Sequence, residues 1–130
     1  LLKEAGAKRA LPLPVSAPYH TDIMRPAGEK LAEELAKISI NVPTIPVVHN
    51  VHAQTENDPE KIRALLIEQI YSPVKWTSCV ETMVKAGVTT TVECGPGKVL
   101  SGLNKRIEKS LECLAIEEEQ AFLDALAALK

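Results

Sequence analysis

The segment from residue 89 to residue 107 most constrains the fold, because it predicts a strand, a tight turn and a helix in direct succession. Thr89 to Glu93 is rich in β-branched residues, which favour extended structure. Cys94-Gly95-Pro96-Gly97 is then a turn. Apolar residues follow at helical spacing, at Val99, Leu100, Leu103 and Ile107. This order predicts a strand buried against the helix that follows it.

The same alternation of strands and helices recurs along the chain. Further strands are predicted at 8–15, 47–51 and 113–116, the second of them buried on both faces. Further helices are predicted from the apolar residues of 24–38, 62–70, 76–84 and 122–129, and Gly6 is expected to cap the end of a short helical segment. Strands that alternate with helices indicate an α/β fold with a mainly parallel sheet.

Composition excludes several classes of protein. The 130 residues carry a net charge of −2, so no basic surface is expected to bind nucleic acid. No apolar run approaches the roughly 20 residues that span a bilayer, and no signal peptide opens the sequence, so we expect no membrane partner. The three cysteines are widely spaced and odd in number, which favours reduced thiols and a cytoplasmic location.

One histidine is a candidate for catalysis. His20 follows a predicted strand and a Pro-rich turn, and it directly precedes a predicted helix. An imidazole at such a junction can be held rigidly while it faces a cleft, which suits a general base. The alternative is a loop histidine with satisfied hydrogen bonds. His20, Asn50 and the turn 95–97 all follow predicted strand ends, where α/β sheets bind ligands, and are expected to line one rim.

The turn 95–97 and the following Lys98 invite comparison with phosphate-binding loops. The pattern GxxxxGK[ST] is not met, because Val92 stands five positions before Gly97 and Val99 follows Lys98. A structural turn that requires positive φ is the favoured interpretation. An anionic ligand at the start of the next helix stays open.

Two other groups of residues are weaker candidates. His49 and His52 have H-x-x-H spacing, but residues three apart in a strand point to opposite faces, so no metal site is predicted. The cysteines lack a basic neighbour and are expected to be small core residues. A nucleophile elbow, G-x-S-x-G, is absent around every serine, so no serine-based triad is expected within the chain.

Four motifs occur in one order that resembles a known family. They are Pro12-Leu13-Pro14-Val15-Ser16-Ala17-Pro18-Tyr19-His20, Pro46-Val47-Val48-x-Asn50, Gln69-Ile70-Tyr71-Ser72-Pro73-Val74-x-Trp76, and Glu93-x-Gly95-Pro96-Gly97-Lys98-Val99-Leu100. As a set they resemble the C-terminal part of the bacterial malonyl-CoA:acyl carrier protein transacylases of type II fatty acid synthesis. The resemblance covers essentially all 130 residues.

The resemblance implies a division of the chain. Residues 1–15 would be the last helix and strand of a small ferredoxin-like subdomain. Residues 16–130 would be the C-terminal part of a large α/β-hydrolase-like acyltransferase subdomain. The chain would then be a C-terminal fragment, and the whole enzyme a monomer.

The family transfers malonyl groups by a ping-pong mechanism on a serine, and the resemblance implies roles for three residues. His20 matches the catalytic base, and Gln69 matches the residue whose backbone carbonyl orients that histidine. Tyr19 would border the acyl pocket. No cofactor and no metal are implied, since the substrates are malonyl-CoA and the phosphopantetheine thiol of acyl carrier protein.

The serine elbow, the arginine that binds the malonyl carboxylate and the oxyanion hole lie upstream in the family, and the motifs quoted above include none of them. The partners implied are therefore acyl carrier protein and the missing N-terminal part of the same enzyme, and the fragment alone is expected to be inactive. Two alternatives stay open. One is the acyltransferase domain of a polyketide synthase, and the other is a non-catalytic binding module that keeps part of the fold.

Overall fold

A computed structural model describes residues 1–12 and 14–129, so Leu13 of the Pro12–His20 stretch and Lys130 lie outside the described residues. Within this part of the chain, a 3₁₀ turn at Asp22–Met24 leads into the first of five α-helices, and two strands lie among the later helices. In chain order the elements are α1 (Arg25–Leu35), α2 (Pro59–Glu68), α3 (Trp76–Lys85), β1 (Thr90–Glu93), α4 (Val99–Ile107), β2 (Glu112–Ala115) and α5 (Glu119–Ala128).

The sheet is a parallel pair. β1 and β2 align from Thr90 opposite Glu112 to Glu93 opposite Ala115. Helix α4 connects the two strands and packs against both, while α5 packs against β2. Since parallel strands need such a crossover, this unit is the α/β arrangement that the sequence predicts, and the α/β class is confirmed.

Two predicted strands are wrong for the described residues. No strand is assigned in residues 7–12 or 14–15, where the described part of the chain supplies no neighbouring strand to pair with. At 47–51 there is a single antiparallel bridge from Val48 to Thr55. The chain reverses there because the Ala53 amide donates to the His49 carbonyl at 2.9 Å, with Ala53 at a φ of 58°. Val47 is half exposed, so that segment is not buried on both faces.

The helix ends follow local signals in the sequence. Asp58 accepts hydrogen bonds from the amides of Glu60 and Lys61, at 2.9 and 3.4 Å, and Pro59 stands in the first turn of α2. Gly6 has a φ of 90°, its amide bonds to the Lys3 carbonyl and the next amide bonds back to Leu2; this is the hydrogen-bond pattern of a helix C-cap, although the residues before Gly6 form a turn and not a helix. Favourable capping therefore fixes where these segments begin and end.

The core is small. The buried apolar residues are Val51, Ala53, Ile62, Cys79, Val80, Leu111 and Ala125. Many larger apolar side chains remain exposed, including a stripe along α5 and its C-cap residue; its members, Phe122, Leu123, Leu126 and Leu129, are between 44% and 56% exposed. An apolar surface of this kind normally contacts another part of a protein.

The division into 1–15 and 16–130 stays a prediction, and so does the ferredoxin-like character of the first segment. Residues 1–7 form one hydrogen-bonded turn that ends at Gly6. Within 1–12 and 14–129, no helix has both the length and the apolar character needed to cross a membrane.

Candidate active site

His20 contacts the end of a helix that lies far along the chain. Its Nδ1 atom is 2.8 Å from the backbone carbonyl oxygen of Gln69, 49 residues away. Gln69 is the residue at which α2 ends, and its own amide still bonds to the Leu65 carbonyl. Because the last carbonyls of a helix lack partners within the helix, the Gln69 oxygen is available as an acceptor. The fold thus brings together two residues that the sequence analysis placed in one site.

The contact defines the hydrogen-bonding state of the imidazole. A carbonyl oxygen only accepts hydrogen bonds, so Nδ1 of His20 must carry the proton and donate it to Gln69. In the neutral ring, Nε2 is then unprotonated and able to accept a proton. The negative end of the α2 dipole also favours positive charge at this position. This arrangement suits a base that becomes an imidazolium during a reaction.

The backbone of His20 is held in an uncommon conformation. Its φ is 59°, in the left-handed region, where a residue with a Cβ is disfavoured by about 1–2 kcal/mol. The hydroxyl of the next residue, Thr21, donates to the Pro18 carbonyl at 2.7 Å and closes the turn around the histidine. Strained backbone that neighbouring contacts maintain is frequent at functional sites.

Helix α1 contacts the segment just after α2 beside this site, through residues that the sequence analysis missed. Tyr71 packs against Gly28, and the guanidinium carbon of Arg25 lies 4.2 Å from the centre of the Tyr71 ring. Arg25 also donates to Asp22 at 2.6 Å, and this hydrogen bond raises the pKa of Arg25 above its ordinary value. The available signal was a glycine within a helical pattern, which usually has a packing reason.

A second arginine joins the two helices at the other end. The guanidinium of Arg63 in α2 donates to the carbonyl of Leu35 and, at 3.1 Å, to the carbonyl of Ile38. The Leu35 carbonyl ends α1 and the Ile38 carbonyl lies just beyond it, so Arg63 satisfies acceptors that the end of the helix leaves free. The two helices are therefore fixed against each other at both ends of α1.

Tyr19 precedes the histidine and is 56% exposed. Its hydroxyl lies 3.4 Å from the hydroxyl of Ser16 within the same turn. The structure places Tyr19 on the surface beside His20, and its role as a border of the acyl pocket stays a prediction.

The turn after β1 is organised by two carboxylates that the sequence analysis did not single out. Glu93 accepts from the amides of Leu100 and Ser101, at 3.0 and 2.7 Å, and so caps the start of α4. Glu117 accepts from the Gly97 amide at 2.9 Å. Gly95 and Gly97 have positive φ, as the structural interpretation of this turn requires. Since carboxylates already occupy these amides, the turn does not present them to an anionic ligand.

His49 and His52 are close together, contrary to the prediction that they point to opposite faces. Their ring centres are 5.8 Å apart in an edge-to-face arrangement. The prediction was wrong because this segment is a turn and not a strand. Burial lowers the pKa of His49, and the neighbouring His52 lowers it further. Within 1–12 and 14–129, no group of three or more His, Cys, Asp or Glu residues could hold a metal ion.

The three cysteines are free thiols in different environments. Cys79 is buried, and its burial raises the pKa of the thiol. Cys113 is half-buried. Cys94 is exposed, so the expectation that all three cysteines are core residues is wrong for this one.

The positions expected to line a shared rim have separate partners. His20 contacts the end of α2, the Asn50 carbonyl accepts from the Lys75 amide at 3.0 Å, and Gly97 contacts Glu117. The rim stays a prediction. Among the described residues, His20 and Gln69 are the only two members of the candidate site that a hydrogen bond joins directly.

Comparison with known proteins gives a consistent result. The malonyl CoA-acyl carrier protein transacylase of Escherichia coli K12 is 54% identical over 124 residues, which are 95% of this chain and 40% of that protein. A crystal structure of an acyl carrier protein S-malonyltransferase from Vibrio cholerae is 56% identical, with a TM-score of 0.89, over 95% of this chain and 40% of that chain.

A further solved structure contains a malonyl-transacylase in complex with a type II polyketide synthase acyl-carrier protein. It is 46% identical, with a TM-score of 0.92, over 97% of this chain and 41% of the matched chain. No protein-family model matches the chain. On sequence and fold together, the chain is similar to malonyl-CoA:acyl carrier protein transacylases over almost all of its own length, and it spans about 40% of the length of the proteins it matches.

Proposed function

We propose that this chain supplies the histidine base of an enzyme that moves malonyl from malonyl-CoA to the phosphopantetheine thiol of acyl carrier protein. The observation that carries the proposal is the 2.8 Å contact between His20 Nδ1 and the Gln69 carbonyl. It holds the imidazole in the tautomer that leaves Nε2 free to accept a proton. The similarity of the chain to transacylases of this family supports the same assignment.

The reaction has two similar halves. In the first, a serine hydroxyl gives its proton to Nε2 of His20 while its oxygen attacks the thioester carbon of malonyl-CoA. The C–S bond then breaks, and the departing CoA sulfur takes the proton from the imidazolium. In the second half, the carrier-protein thiol gives its proton to Nε2 and its sulfur attacks the malonyl ester. The ester C–O bond breaks, and the serine oxygen recovers the proton.

The Gln69 carbonyl takes the place that an acidic residue has in a Ser-His-Asp triad. The main task of that third member is to fix the tautomer and orientation of the histidine, and a neutral carbonyl can do both. The partial negative charge at the end of α2 stabilises the imidazolium in each half-reaction. The donor that loses its proton to His20 comes from outside these 130 residues.

The rest of the enzyme would also cover the exposed apolar surface. The stripe on α5 and the exposed Val99 of α4, which is 71% exposed, lie on the two helices that pack against the sheet. The members of the family are about two and a half times as long as this chain, since it spans about 40% of their length. A larger subdomain would bury such a surface and complete the site around His20. The chain without that part is then inactive.

The acceptor is an acyl carrier protein of fatty acid or polyketide synthesis. The transacylase that was solved with a polyketide carrier protein is 46% identical to this chain. This similarity supports a carrier protein of polyketide synthesis as the alternative acceptor. The proposal needs no cofactor beyond the two substrates. A cytoplasmic location stays a prediction from the cysteine pattern.

The test is His20→Ala in the full-length protein that contains this chain. Loss of a general base lowers turnover by about 10²–10⁴-fold, so malonyl transfer to acyl carrier protein should fall within this range. Radiolabelled malonyl-CoA measures the transfer. Near-normal turnover in the variant would refute the assignment, and a binding module without transferase activity would show no turnover in the unsubstituted protein either.

A further inference from the structure

We infer that Tyr71 is a positioning residue for His20, acting through the packing of α1 against the end of α2. This inference rests on the proposed function, because it concerns the same histidine. Three residues make this packing contact, and together they form the Tyr71 stack: Gly28, Tyr71 and Arg25. No hydrogen bond to His20 is required for this role.

The Tyr71 ring lies directly against the backbone of α1. Gly28 is the one buried residue of α1, and a Cβ built on it would lie 2.9 Å from both Cδ1 and Cε1 of Tyr71. Carbon atoms pack at roughly 3.5 Å or more, so the ring occupies the space that the side chain of any residue other than glycine would need at position 28. Arg25 lies over the ring at 4.2 Å from its centre. The ring is thus held between the backbone of α1 and a cation.

The stack is tied to both partners of the site by short stretches of chain. Tyr71 is two residues after Gln69, and its amide bonds to the Glu68 carbonyl at 3.2 Å, which continues the last turn of α2. Arg25 is five residues after His20, and it bonds at 2.6 Å to Asp22, which begins the intervening 3₁₀ turn. A change in the position of the ring therefore moves the start of α1 relative to the end of α2.

The distance between those two helix ends sets the contact of His20 with Gln69. His20 is held in a left-handed conformation by its own turn, so its ring has little freedom to follow a displaced acceptor. A hydrogen bond of 2.8 Å weakens steeply when its partners separate or lose alignment. Loss of the bond would release the imidazole into both tautomers, and only one of them has a free Nε2.

The experiment uses Tyr71→Ala, which removes the ring, and Tyr71→Phe, which retains it, in the full-length protein that contains this chain. A displacement of about 1 Å at a catalytic group costs about 10²-fold in rate, so Tyr71→Ala should lower kcat by about 10–100-fold with little change in KM. Tyr71→Phe should restore kcat to within about twofold, since the ring contact is kept. The nitrogen-15 signals of the His20 imidazole, assigned by their absence in His20→Ala, should show a tautomer mixture in Tyr71→Ala alone.

Val80→Ala is the matched control. It removes buried packing in α3, outside α1, α2 and the exposed apolar stripe, and it should lower the melting temperature without changing kcat or the His20 signals. If Tyr71→Ala fails to fold, Gly28→Val takes its place, because the added side chain displaces the ring from the side of α1. Gly28→Val is also expected to lower kcat and to give a mixture of His20 tautomers. Arg25→Leu, at the exposed face of the stack, is the mildest variant and should give a smaller loss of kcat.

The outcomes separate this inference from the proposed function. Wild-type kcat and wild-type imidazole signals in a folded Tyr71→Ala or Gly28→Val protein, with only a lower melting temperature, would overturn the positioning role. If His20→Ala retains turnover, the proposed function fails, yet the imidazole signals still decide whether the Tyr71 stack holds the ring. A tautomer mixture in Tyr71→Ala and not in Val80→Ala supports the inference in either case.

Discussion

Trp76 donates its indole N–H to the side-chain oxygen of Asn104, at 3.0 Å, and this hydrogen bond joins α3 to α4. Asn104 is only 6% exposed, and its amide nitrogen reaches the hydroxyl of Thr91 in β1 at 3.4 Å. A buried amide with partners on two other elements specifies how these elements pack, because any other arrangement leaves polar groups unsatisfied. The hydrogen bonds of Asn104 to Trp76 and Thr91 therefore fix α3 and α4 relative to β1.

Asn104→Leu should destabilise the protein by about 1–3 kcal/mol, because the Trp76 N–H then lacks its acceptor within the interior. Urea unfolding followed by circular dichroism measures the difference. In a Trp76→Phe background the same substitution should cost less, by about 1 kcal/mol, since no indole donor is left unsatisfied. An identical cost in both backgrounds would contradict this account.

The parts of the fold that were predicted from the sequence are those with local causes. Asp58 and Pro59 specify the start of α2 through one side chain and one missing amide, and both signals are contained in neighbouring residues. The strand at 47–51 was predicted from apolar β-branched residues, but such residues form a strand only beside a partner. The chain reverses at Ala53 because the Ala53 amide bonds to the carbonyl of His49, and the strand propensities of single residues do not describe such a bond.

The candidate site, too, depends on contacts that local sequence patterns do not predict. Residue patterns alone identified His20 as a possible base, but its pairing with Gln69, 49 residues away, was implied only by the family resemblance. Tyr71 and Gly28 meet through the packing of two helices, and neither residue type indicates a site by itself. Contacts between distant segments follow from tertiary packing, so single-sequence patterns do not contain them.

Glu93 should make the stability depend on pH in the acidic range. The backbone amide of Ser101, then its hydroxyl, and the amides of Leu100 and Val99 hold the pKa of Glu93 below its ordinary value of 4.5. A carboxyl group with a depressed folded pKa stabilises the folded state above its unfolded pKa, and this contribution disappears as the pH falls through the folded value. We therefore expect stability to decline below about pH 4.5 as the Glu93 carboxylate takes up a proton.

Glu93→Gln tests this dependence, because the amide keeps the size of the side chain but does not titrate. The variant should be less stable than the unsubstituted protein at pH 7, and the two should converge as the pH falls below the folded pKa. Urea midpoints collected at a series of pH values provide the comparison. A stability difference that stays constant down to the most acidic conditions would show that the ionised capping contact at α4 is not its source.

His49 should contribute a second pH dependence nearer to neutrality. Burial is the main cause that lowers its pKa from 6.5, the charge of His52 adds to it, and Glu56 opposes both. The unfolded chain therefore binds a proton at this residue more readily than the folded one, and stability is lost as the pH falls below about 6.5. His49→Phe keeps an aromatic ring beside His52 and should reduce the loss of stability between pH 7.5 and pH 5.5. Equal losses in both proteins would assign that dependence to other groups.

Gln69→Ala should have little effect on catalysis, because the acceptor for His20 is the backbone carbonyl and not the side chain. The substitution keeps that carbonyl and favours the helix that places it, so kcat should change by no more than about threefold, as for a surface substitution. His20→Ala under the same assay provides the contrast, with a loss of about 10²–10⁴-fold. The comparison needs kcat and kcat/KM for malonyl transfer in the full-length protein, together with the His20 imidazole signals. A loss in Gln69→Ala as deep as that in His20→Ala would mean that the side-chain amide, and not the helix-end carbonyl, orients the base.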